Sequence, residues 1–291
     1  MQVKFVYALV SGESDYYTEQ SLISMHSLRL HNPDCHIVLV SDDATFGTLT
    51  GKRSRIRAYV DEFISVNPPD DFTPVQRSRY IKTSLRQCVR GDFLYLDNDT
   101  IVRASLSGLE RLDCKLAAVL DGHTTSEQNI QLNRYLYAVG MEPWDYKSYF
   151  NGGVWLARDC REVHKFFHDW HRIWDEGRRD YGINVDQPAF ARANIENGCL
   201  ISELSGRYNC QIVVPRAKLY MFDAKIIHYF AELKESGYFP IKQDRLLADI
   251  RENGICGETA RIIEHPLLTW AEHIIRGGKL KKVFKNVLKF N

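Results

Sequence analysis

The sequence lacks the features that mark membrane-spanning, secreted and disulfide-stabilised proteins. No uninterrupted apolar run approaches the roughly 18 residues of a membrane-spanning helix. The seven cysteines are odd in number and include no CxxC pair, and the chain begins on a strand-like segment without a basic leader. We therefore expect a protein of the reducing cytoplasm without a disulfide framework, whose membrane contact, if present, is peripheral.

An excess of charge of one sign is also missing. The chain has 38 basic and 37 acidic residues and a net charge of +1, which gives no reason to expect a nucleic-acid partner. The charge is uneven, since residues 274–291 hold six cations and no acid and the rest of the chain therefore carries −5. At 291 residues, with 44% hydrophobic and 26% charged side chains, the composition predicts a folded protein of one large or two small domains.

Short apolar runs rich in β-branched and aromatic residues alternate with longer amphipathic stretches, which is typical of an α/β fold with a largely parallel sheet. We predict helices at about 15–30, where Asp15 or Ser14 can cap the first turn, and at about 75–90. The predicted strands are Val3–Val10, Ile37–Val40, Tyr59–Val66, Asp92–Asp97, Lys115–Leu120 and Gly153–Ala157.

The composition shifts after about Pro240, which predicts a helical C-terminal extension. Within residues 274–291, apolar side chains recur at helical spacing between lysines, which predicts a basic amphipathic helix. The apolar positions are Leu280, Val283, Phe284, Val287 and Leu288. Such a helix suits an anionic membrane surface, because each cation contributes about 1 kcal/mol near that surface. The alternative is a solvated helix that packs on its own domain.

The most informative motif is the segment LYLDND at residues 94–99, in which an apolar strand ends in two carboxylates. Residues i and i+2 of an extended segment project to the same side, so Asp97 and Asp99 can share one cation. Ligands of open α/β sheets bind at the carboxyl ends of strands, where two hard oxygen ligands suit Mg²⁺ or Mn²⁺ on a polyphosphate. The alternative is a solvated turn after a strand.

Four segments, LYLDNDTIV, FNGGVWLAR, NVDQPAF and HYFAELK, follow in the order that resembles the family 8 glycosyltransferases, which include lipopolysaccharide galactosyltransferases and glycogenin-like proteins. The resemblance covers about residues 1–235 and implies a retaining enzyme of the GT-A fold, with a mainly parallel mixed sheet flanked by helices. It also implies a GT-A catalytic domain at 1–239, followed by the helical extension at 240–291.

The resemblance implies a metal site that holds the diphosphate of a nucleotide sugar. Asp97 and Asp99 match the carboxylates of the family's DxD motif, and His228 matches its third metal ligand. The imidazole favours Mn²⁺ over Mg²⁺. The alternative for His228 is a histidine tucked into a strand.

Lys234 matches a family lysine that contacts the diphosphate and helps to neutralise the leaving group. Its alternative is an ordinary surface lysine. The same segment departs from the family at two points, since Ala231 replaces a usual glycine and Glu235-Ser236 replaces Pro-Trp. Both charged ligands of the segment, His228 and Lys234, are retained.

The resemblance also implies residues around the donor sugar. Asp121 matches a carboxylate that hydrogen-bonds the sugar, and the segment Asn151-Gly152-Gly153 matches one that lines the same pocket, where small residues permit close approach. Asp186 and Gln187 match a pair that faces the reacting side of the sugar. The alternative for Asp186 is a helix N-cap.

For the nucleotide, the match is looser. The family binds uridine at the end of the first strand and stacks an aromatic ring on the base. The nearest matches for the donor nucleotide are Ala8, Leu9, Val10, Tyr17, Arg79 and Asn98. Tyr16 is the alternative to Tyr17, and Arg79 has the alternative of a solvated helical arginine.

We therefore expect a metal-dependent, retaining hexosyltransferase that transfers glucose or galactose from UDP-glucose or UDP-galactose to a saccharide acceptor with an α-linkage. Retention is compatible with double displacement, with Asp186 as the nucleophile, or with attack on the face that UDP leaves, assisted by the Gln187 amide. The basic tail suggests a lipid-linked acceptor, such as a lipopolysaccharide core or capsule intermediate, at the inner face of the membrane.

Other interpretations compete with this one. A sugar nucleotidyltransferase also uses carboxylates and a divalent ion, but residues 9–13 have one glycine and an acid where a phosphate loop needs glycines. A non-catalytic protein that binds nucleotide sugars or saccharides is the second alternative. His164, His168 and His171 share one helical face as in a zinc site, but the HExxH glutamate is absent and interleaved aromatics favour a packed helix.

Overall fold

The computed structural model describes residues 2–124, 139–140, 148–230 and 244–268. Its strands alternate with helices along most of the chain. The strands are β1 (Lys4–Leu9), β2 (Ile37–Ser41), β3 (Glu62–Ser65), β4 (Phe93–Leu96), β5 (Thr100–Val102), β6 (Leu116–Leu120), β7 (Phe150–Ala157), β8 (Ile201–Glu203), β9 (Cys210–Gln211) and β10 (Ile226–His228). The α-helices are α1 (Tyr17–His31), α2 (Asp43–Thr48), α3 (Pro74–Cys88), α4 (Arg161–Tyr181), α5 (Gln187–Glu196), α6 (Asp244–Asn253) and α7 (Gly257–Glu264).

The main sheet has seven strands in the order β3-β2-β1-β4-β7-β6-β8. β7 runs antiparallel to both of its neighbours, whereas the other adjacent pairs are parallel. A second sheet has the order β5-β10-β9. The prediction of an α/β fold with a mainly parallel mixed sheet flanked by helices is confirmed.

The six predicted strands are all present, with shifted ends. β3 is limited to Glu62–Ser65, because a 3₁₀ helix occupies Gly51–Ala58 and Tyr59 still donates its backbone N–H back to that helix. β7 begins at Phe150, before the predicted start at Gly153, because the pairing with β6 extends to that residue. The earlier start of β7 places Asn151, Gly152 and Gly153 within the sheet.

The two predicted helices begin at different residues from those expected. α3 begins at Pro74 behind a capping box, in which the side chains of Thr73 and Gln76 each accept a backbone N–H of the other residue. α1 begins at Tyr17, and its N-cap Tyr16 makes no side-chain capping bond. Asp15 nevertheless accepts the Tyr17 N–H at 3.1 Å. The predicted carboxylate thus binds a backbone N–H of the first turn from the residue before the N-cap.

Helix α4 packs its aromatic face against the sheet. Phe167 and Trp170 lie beside Trp155 of β7 with ring centroids 5.1 and 5.9 Å apart. The histidines of α4 diverge, since His164 Nε2 lies 2.8 Å from a carboxylate oxygen of Asp159 and His171 Nδ1 lies 2.7 Å from the Thr83 hydroxyl. His168 is 73% exposed. The helix is the packed aromatic element that the sequence favours, with its histidines on separate partners.

The described part of the C-terminal extension packs on the main body. Leu246, Leu247 and Ile250 of α6 are buried in one core with residues of α1 such as Leu22. The predicted domain boundary near Pro240 and the basic tail at 274–291 lie outside the described residues. In the described ranges, we find no helix whose length and apolar content would let it cross a membrane.

Candidate active site

A cavity of about 720 Å³ lies at one edge of the main sheet. β1, β4 and β6 are parallel and end at this edge, and the antiparallel strand β7 begins there. The loop after β1, the first half of α3 and the start of α5 also line it, as do residues of α1 and α2 and the end of β10. The cavity thus has the position that the sequence predicts for a ligand, at the carboxyl ends of parallel strands.

The pairing of two strands explains why His228 lies beside the DxD motif. Asp97 follows β4 and donates its N–H to the Gly153 carbonyl of β7 at 2.8 Å. The chain then enters β5, whose first residue, Thr100, pairs with His228 of the antiparallel strand β10. Two residues distant in sequence are therefore neighbours because β5 and β10 share a small sheet.

Asp97, Asp99 and His228 form one cluster of metal-ligating side chains. One ligand atom from each lies within 4.8 Å of the others. His228 Nε2 is 3.1 Å from Asp99 Oδ1 and 4.0 Å from Asp97 Oδ2, and its side chain is 3% exposed. Two carboxylates and one imidazole fit a divalent cation such as Mn²⁺.

A chain of side-chain amides orients the His228 ring. Asn151 Nδ2 donates to the Asp121 carboxylate at 2.9 Å, so Asn151 Oδ1 faces Asn209. Asn151 Oδ1 accepts a hydrogen bond from Asn209 Nδ2 at 2.8 Å. Asn209 Oδ1 then lies 3.0 Å from His228 Nδ1 and accepts its proton. The Asp121 carboxylate can only accept, which fixes the direction of each hydrogen bond in this network. The network therefore assigns the proton of the His228 ring to Nδ1 and leaves the Nε2 lone pair facing Asp97 and Asp99.

Gly153 fits against the cluster because it has no side chain. A Cβ at this position would lie 2.4 Å from His228 Cε1 and 2.8 Å from Asp97 Oδ2. At the neighbouring Gly152, a Cβ would lie 3.6 Å from Lys82 Nζ, which is an ordinary contact. The second glycine of the NGG segment is therefore required by the close packing of Asp97 and His228.

Two cations of α3, Lys82 and Arg79, also line the cavity. Lys82 Nζ lies 3.2 Å from Asp97 Oδ1 and 3.5 Å from Asp186 Oδ2, and its side chain is 4% exposed. Arg79 Nε lies 3.1 Å from Asp186 Oδ1. Arg79 thus lines the cavity and contacts Asp186 of the predicted Asp-Gln pair. It is not the solvated helical arginine of the alternative interpretation.

Asp186 stands at the N-cap of α5, but its side chain makes no capping hydrogen bond. Burial raises the pKa of this carboxyl, and the attraction of Lys82 and then Arg79 more than offsets that effect, so the net result is a lowered pKa. Asp186 is therefore an ionised carboxylate at neutral pH. Gln187 Oε1 accepts the Gly152 N–H at 3.2 Å, which leaves its amide nitrogen for the cavity.

The other predicted residues occupy different places. Ala8, Val10, Tyr17, Asn98, Asn151, Gly152 and Gly153 line the cavity together with the acidic and cationic residues described above. Leu9 is fully buried in the core, and Asp121 is not a lining residue but contacts the lining residue Asn151. Leu9 alternates with Ala8 and Val10, so its side chain points to the other face of β1. Lys234 lies outside the described residues.

Lys82 and Asn209 contact the predicted site residues but are not among the residues predicted from the sequence. Lys82 follows Arg79 by three residues, so the helical spacing alone places both on one face of α3 and would have indicated it. Asn209 lies on the short segment before β9 and has no local motif. Its role depends on the pairing of β9 with β10, which aligns Gln211 with His228.

The family model described as glycosyl transferase family 8 matches residues 9–235. The chain belongs to this family. It is therefore a glycosyltransferase, and its sheet is that of the GT-A fold. A comparison with curated proteins finds no match.

Several solved structures have the same fold as this glycosyltransferase. The galactosyltransferase LgtC, in complex with donor and acceptor sugar analogues, is 17% identical over 89% of this chain and 99% of its own, with a TM-score of 0.54. Mouse xyloside xylosyltransferase 1 is 13% identical over 79% of this chain and 98% of its own, with a TM-score of 0.53. GlyE of Streptococcus pneumoniae is 19% identical over 93% and 64%, with a TM-score of 0.54.

Proposed function

We propose that this glycosyltransferase is a metal-dependent, retaining hexosyltransferase. It takes glucose or galactose from a UDP-sugar and forms an α-linkage to a saccharide acceptor. The observation that carries the proposal is that Lys82 contacts both halves of the site, with Asp97 of the metal cluster at 3.2 Å and Asp186 of the Asp-Gln pair at 3.5 Å. A diphosphate-binding group and a sugar-binding group therefore adjoin within one cavity.

Asp97, Asp99 and His228 would hold the cation. When bound, Mn²⁺ supplies Lewis-acid stabilisation of the diphosphate leaving group. The mixed oxygen and nitrogen ligand set, with the His228 lone pair directed by Asn209, supports Mn²⁺ over Mg²⁺. Lys234 adds positive charge to the departing diphosphate in this proposal, as the family resemblance implies.

The surroundings of Asp186 favour one of the two retaining routes. A carboxylate held by Arg79 and Lys82 is stabilised as an anion, and this stabilisation makes it a weaker nucleophile. The same two contacts hold it rigidly against the sugar pocket. We therefore favour attack on the face that UDP leaves, with Asp186 and the Gln187 amide as orienting groups and Asn151 on the same pocket wall.

The donor preference is part of the proposal. LgtC, which has the same fold, is described as a galactosyltransferase bound to donor and acceptor sugar analogues, and this supports galactose as the first donor to test. Ala8, Val10 and Tyr17 line the cavity, which supports a nucleotide position beside them.

Hydrolysis of UDP-sugars without an acceptor tests the function directly. We expect UDP release from UDP-galactose or UDP-glucose with Mn²⁺, slower release with Mg²⁺ and none with EDTA. Analysis of the product by NMR should show retention of the α-configuration. Equal turnover in EDTA would contradict metal dependence, and formation of a nucleotide sugar from UTP and a sugar phosphate would indicate a nucleotidyltransferase instead.

We also propose that the acceptor is lipid-linked and that residues 274–291 hold the enzyme at an anionic membrane surface. The support is in the sequence, where six cations and no acid accompany a helical apolar pattern. The full chain should float with vesicles that contain anionic lipid, whereas a chain truncated before Ile274 should not. Equal flotation of the two chains would refute this proposal, and neutral vesicles are the control.

A further inference from the structure

The loop of residues 11–16, which follows β1, contributes to the wall of the cavity. Ser11, Gly12, Ser14 and Asp15 line the cavity there. Asp15 accepts the Ser11 hydroxyl at 2.5 Å and the Gly12 N–H at 2.6 Å, and Arg53 Nη2 donates to Ser11 Oγ at 2.8 Å. Polar contacts set the shape of this loop, so its shape depends on each partner being in place.

One of these partners comes from the C-terminal extension. Arg251 of α6 donates Nη1–H to the Glu13 carbonyl at 3.0 Å and Nη2–H to the Asp15 carbonyl. Its guanidinium carbon lies 4.6 Å from the centre of the Tyr16 ring. A single side chain, which is not among the lining residues of the cavity, thus contacts three residues of the loop.

The same guanidinium is fixed by a buried carboxylate at the start of α1. Arg251 Nε and Nη2 donate to the two oxygens of Glu19 at 2.9 and 2.8 Å, and the Glu19 side chain is 3% exposed. This two-point contact holds the plane of the guanidinium in one orientation. Lysine has a single ammonium and cannot reproduce the pattern of five contacts.

Helix α6 is itself firmly seated. Leu247 and Ile250 are buried in the core shared with α1. Arg55 donates to the backbone carbonyls of Arg251 and Glu252 at 2.8 and 3.0 Å, which satisfies the C-terminal end of the helix. The family match ends at residue 235, so Arg251 belongs to a part of the chain that the match does not cover.

We propose that Arg251 is a positioning residue for the donor, through which the C-terminal extension holds loop 11–16 in the shape that receives the nucleotide. The inference rests on the proposed function, since it assumes that the cavity binds a UDP-sugar. Arg251 lies behind the loop and contacts it through backbone carbonyls. Its loss should therefore weaken nucleotide binding and leave the metal ligands and the sugar-facing residues unchanged.

Isothermal titration with UDP in the presence of Mn²⁺ tests the proposal on the full chain. Arg251→Met should raise the Kd for UDP by about tenfold and raise KM for the donor, with kcat within about twofold of the wild type. Arg251→Lys should recover only part of the affinity. The affinity for Mn²⁺ alone should not change. Lys52→Met is the matched control, because Lys52 also connects α6 to the rest of the protein, through an exposed ion pair with Glu252. The Lys52→Met variant should bind UDP with the affinity of the wild type.

A double variant separates positioning from stability. Arg251→Met leaves the buried Glu19 carboxylate without this partner and should lower Tm, whereas Glu19→Gln together with Arg251→Met should restore most of Tm. The contacts to the loop carbonyls are still missing in the double variant, so the Kd for UDP should stay raised. Recovery of UDP affinity together with Tm would overturn the inference, as would unchanged affinity in folded Arg251→Met. If the wild type binds no UDP, the proposed function fails and this inference fails with it.

Discussion

Replacement of Asp99 by asparagine should reduce both hydrolysis of the UDP-sugar and sugar transfer by about 10²–10³-fold. Asp99 Oδ1 lies 3.1 Å from His228 Nε2, so the two atoms face one cation position. Asparagine keeps the size of the side chain and removes the negative charge that a divalent ion requires. The loss should therefore appear in metal binding as well as in turnover.

The measurement pairs steady-state UDP release with titration of Mn²⁺ in the absence of nucleotide. Asp223→Asn is a suitable control, because Asp223 is 56% exposed, pairs with Arg207 and does not line the cavity. This control should retain wild-type activity and metal affinity. If Asp99→Asn bound Mn²⁺ as tightly as the wild type, the assignment of the metal site would be wrong.

Substitution of Gly153 by alanine should disrupt the same site by a steric route. The added Cβ would overlap His228 Cε1 at 2.4 Å, and both residues are buried. Such overpacking costs about 1–3 kcal/mol of unfolding free energy, and any relief must displace the His228 ring from Asp97 and Asp99. We expect a lower Tm and a Mn²⁺ affinity reduced by at least about tenfold.

Gly152→Ala is the matched control for this substitution. Its Cβ would meet Lys82 Nζ at 3.6 Å, so it adds the same methyl group to the same strand without overlap. Metal affinity and Tm should stay close to the wild type. Because Gly152 lines the cavity, metal affinity and Tm are the readouts, and donor binding is not. Equal losses of Mn²⁺ affinity in the two variants would show that the clash with His228 is not the cause.

Much of the fold was predictable because its signals are local. An apolar strand period, a proline behind a capping threonine and turn residues between runs are contained within a few positions, and β1, β4 and α3 follow them closely. The start of β3 was less predictable. Tyr59 and Val60 have strand-like side chains, but the backbone of Tyr59 is committed to the preceding 3₁₀ helix.

The candidate site residues also differ in how far local sequence predicts their positions. Asp97 and Asp99 are adjacent on one extended segment, so their alternation suffices to place them together. For Asp186 the sequence also allows the alternative of an N-cap. The approach of Lys82 and Arg79 from α3 is what distinguishes a charged site residue from a cap. Leu9 is the reverse case, because it matches the family motif while its side chain lies in the core.

The sequence by itself determined the α/β class, the carboxylate pair after β4 and the family to which the enzyme belongs, because each is recorded in contiguous residues. Tertiary structure alone decided that Asn209 orients His228, that Gly153 leaves room for Asp97 and His228 and that Arg251 supports the loop beside the cavity. These three relationships join strands and helices that are far apart in the chain. They depend on strand pairing and helix packing, which fix distances between side chains that no local pattern specifies.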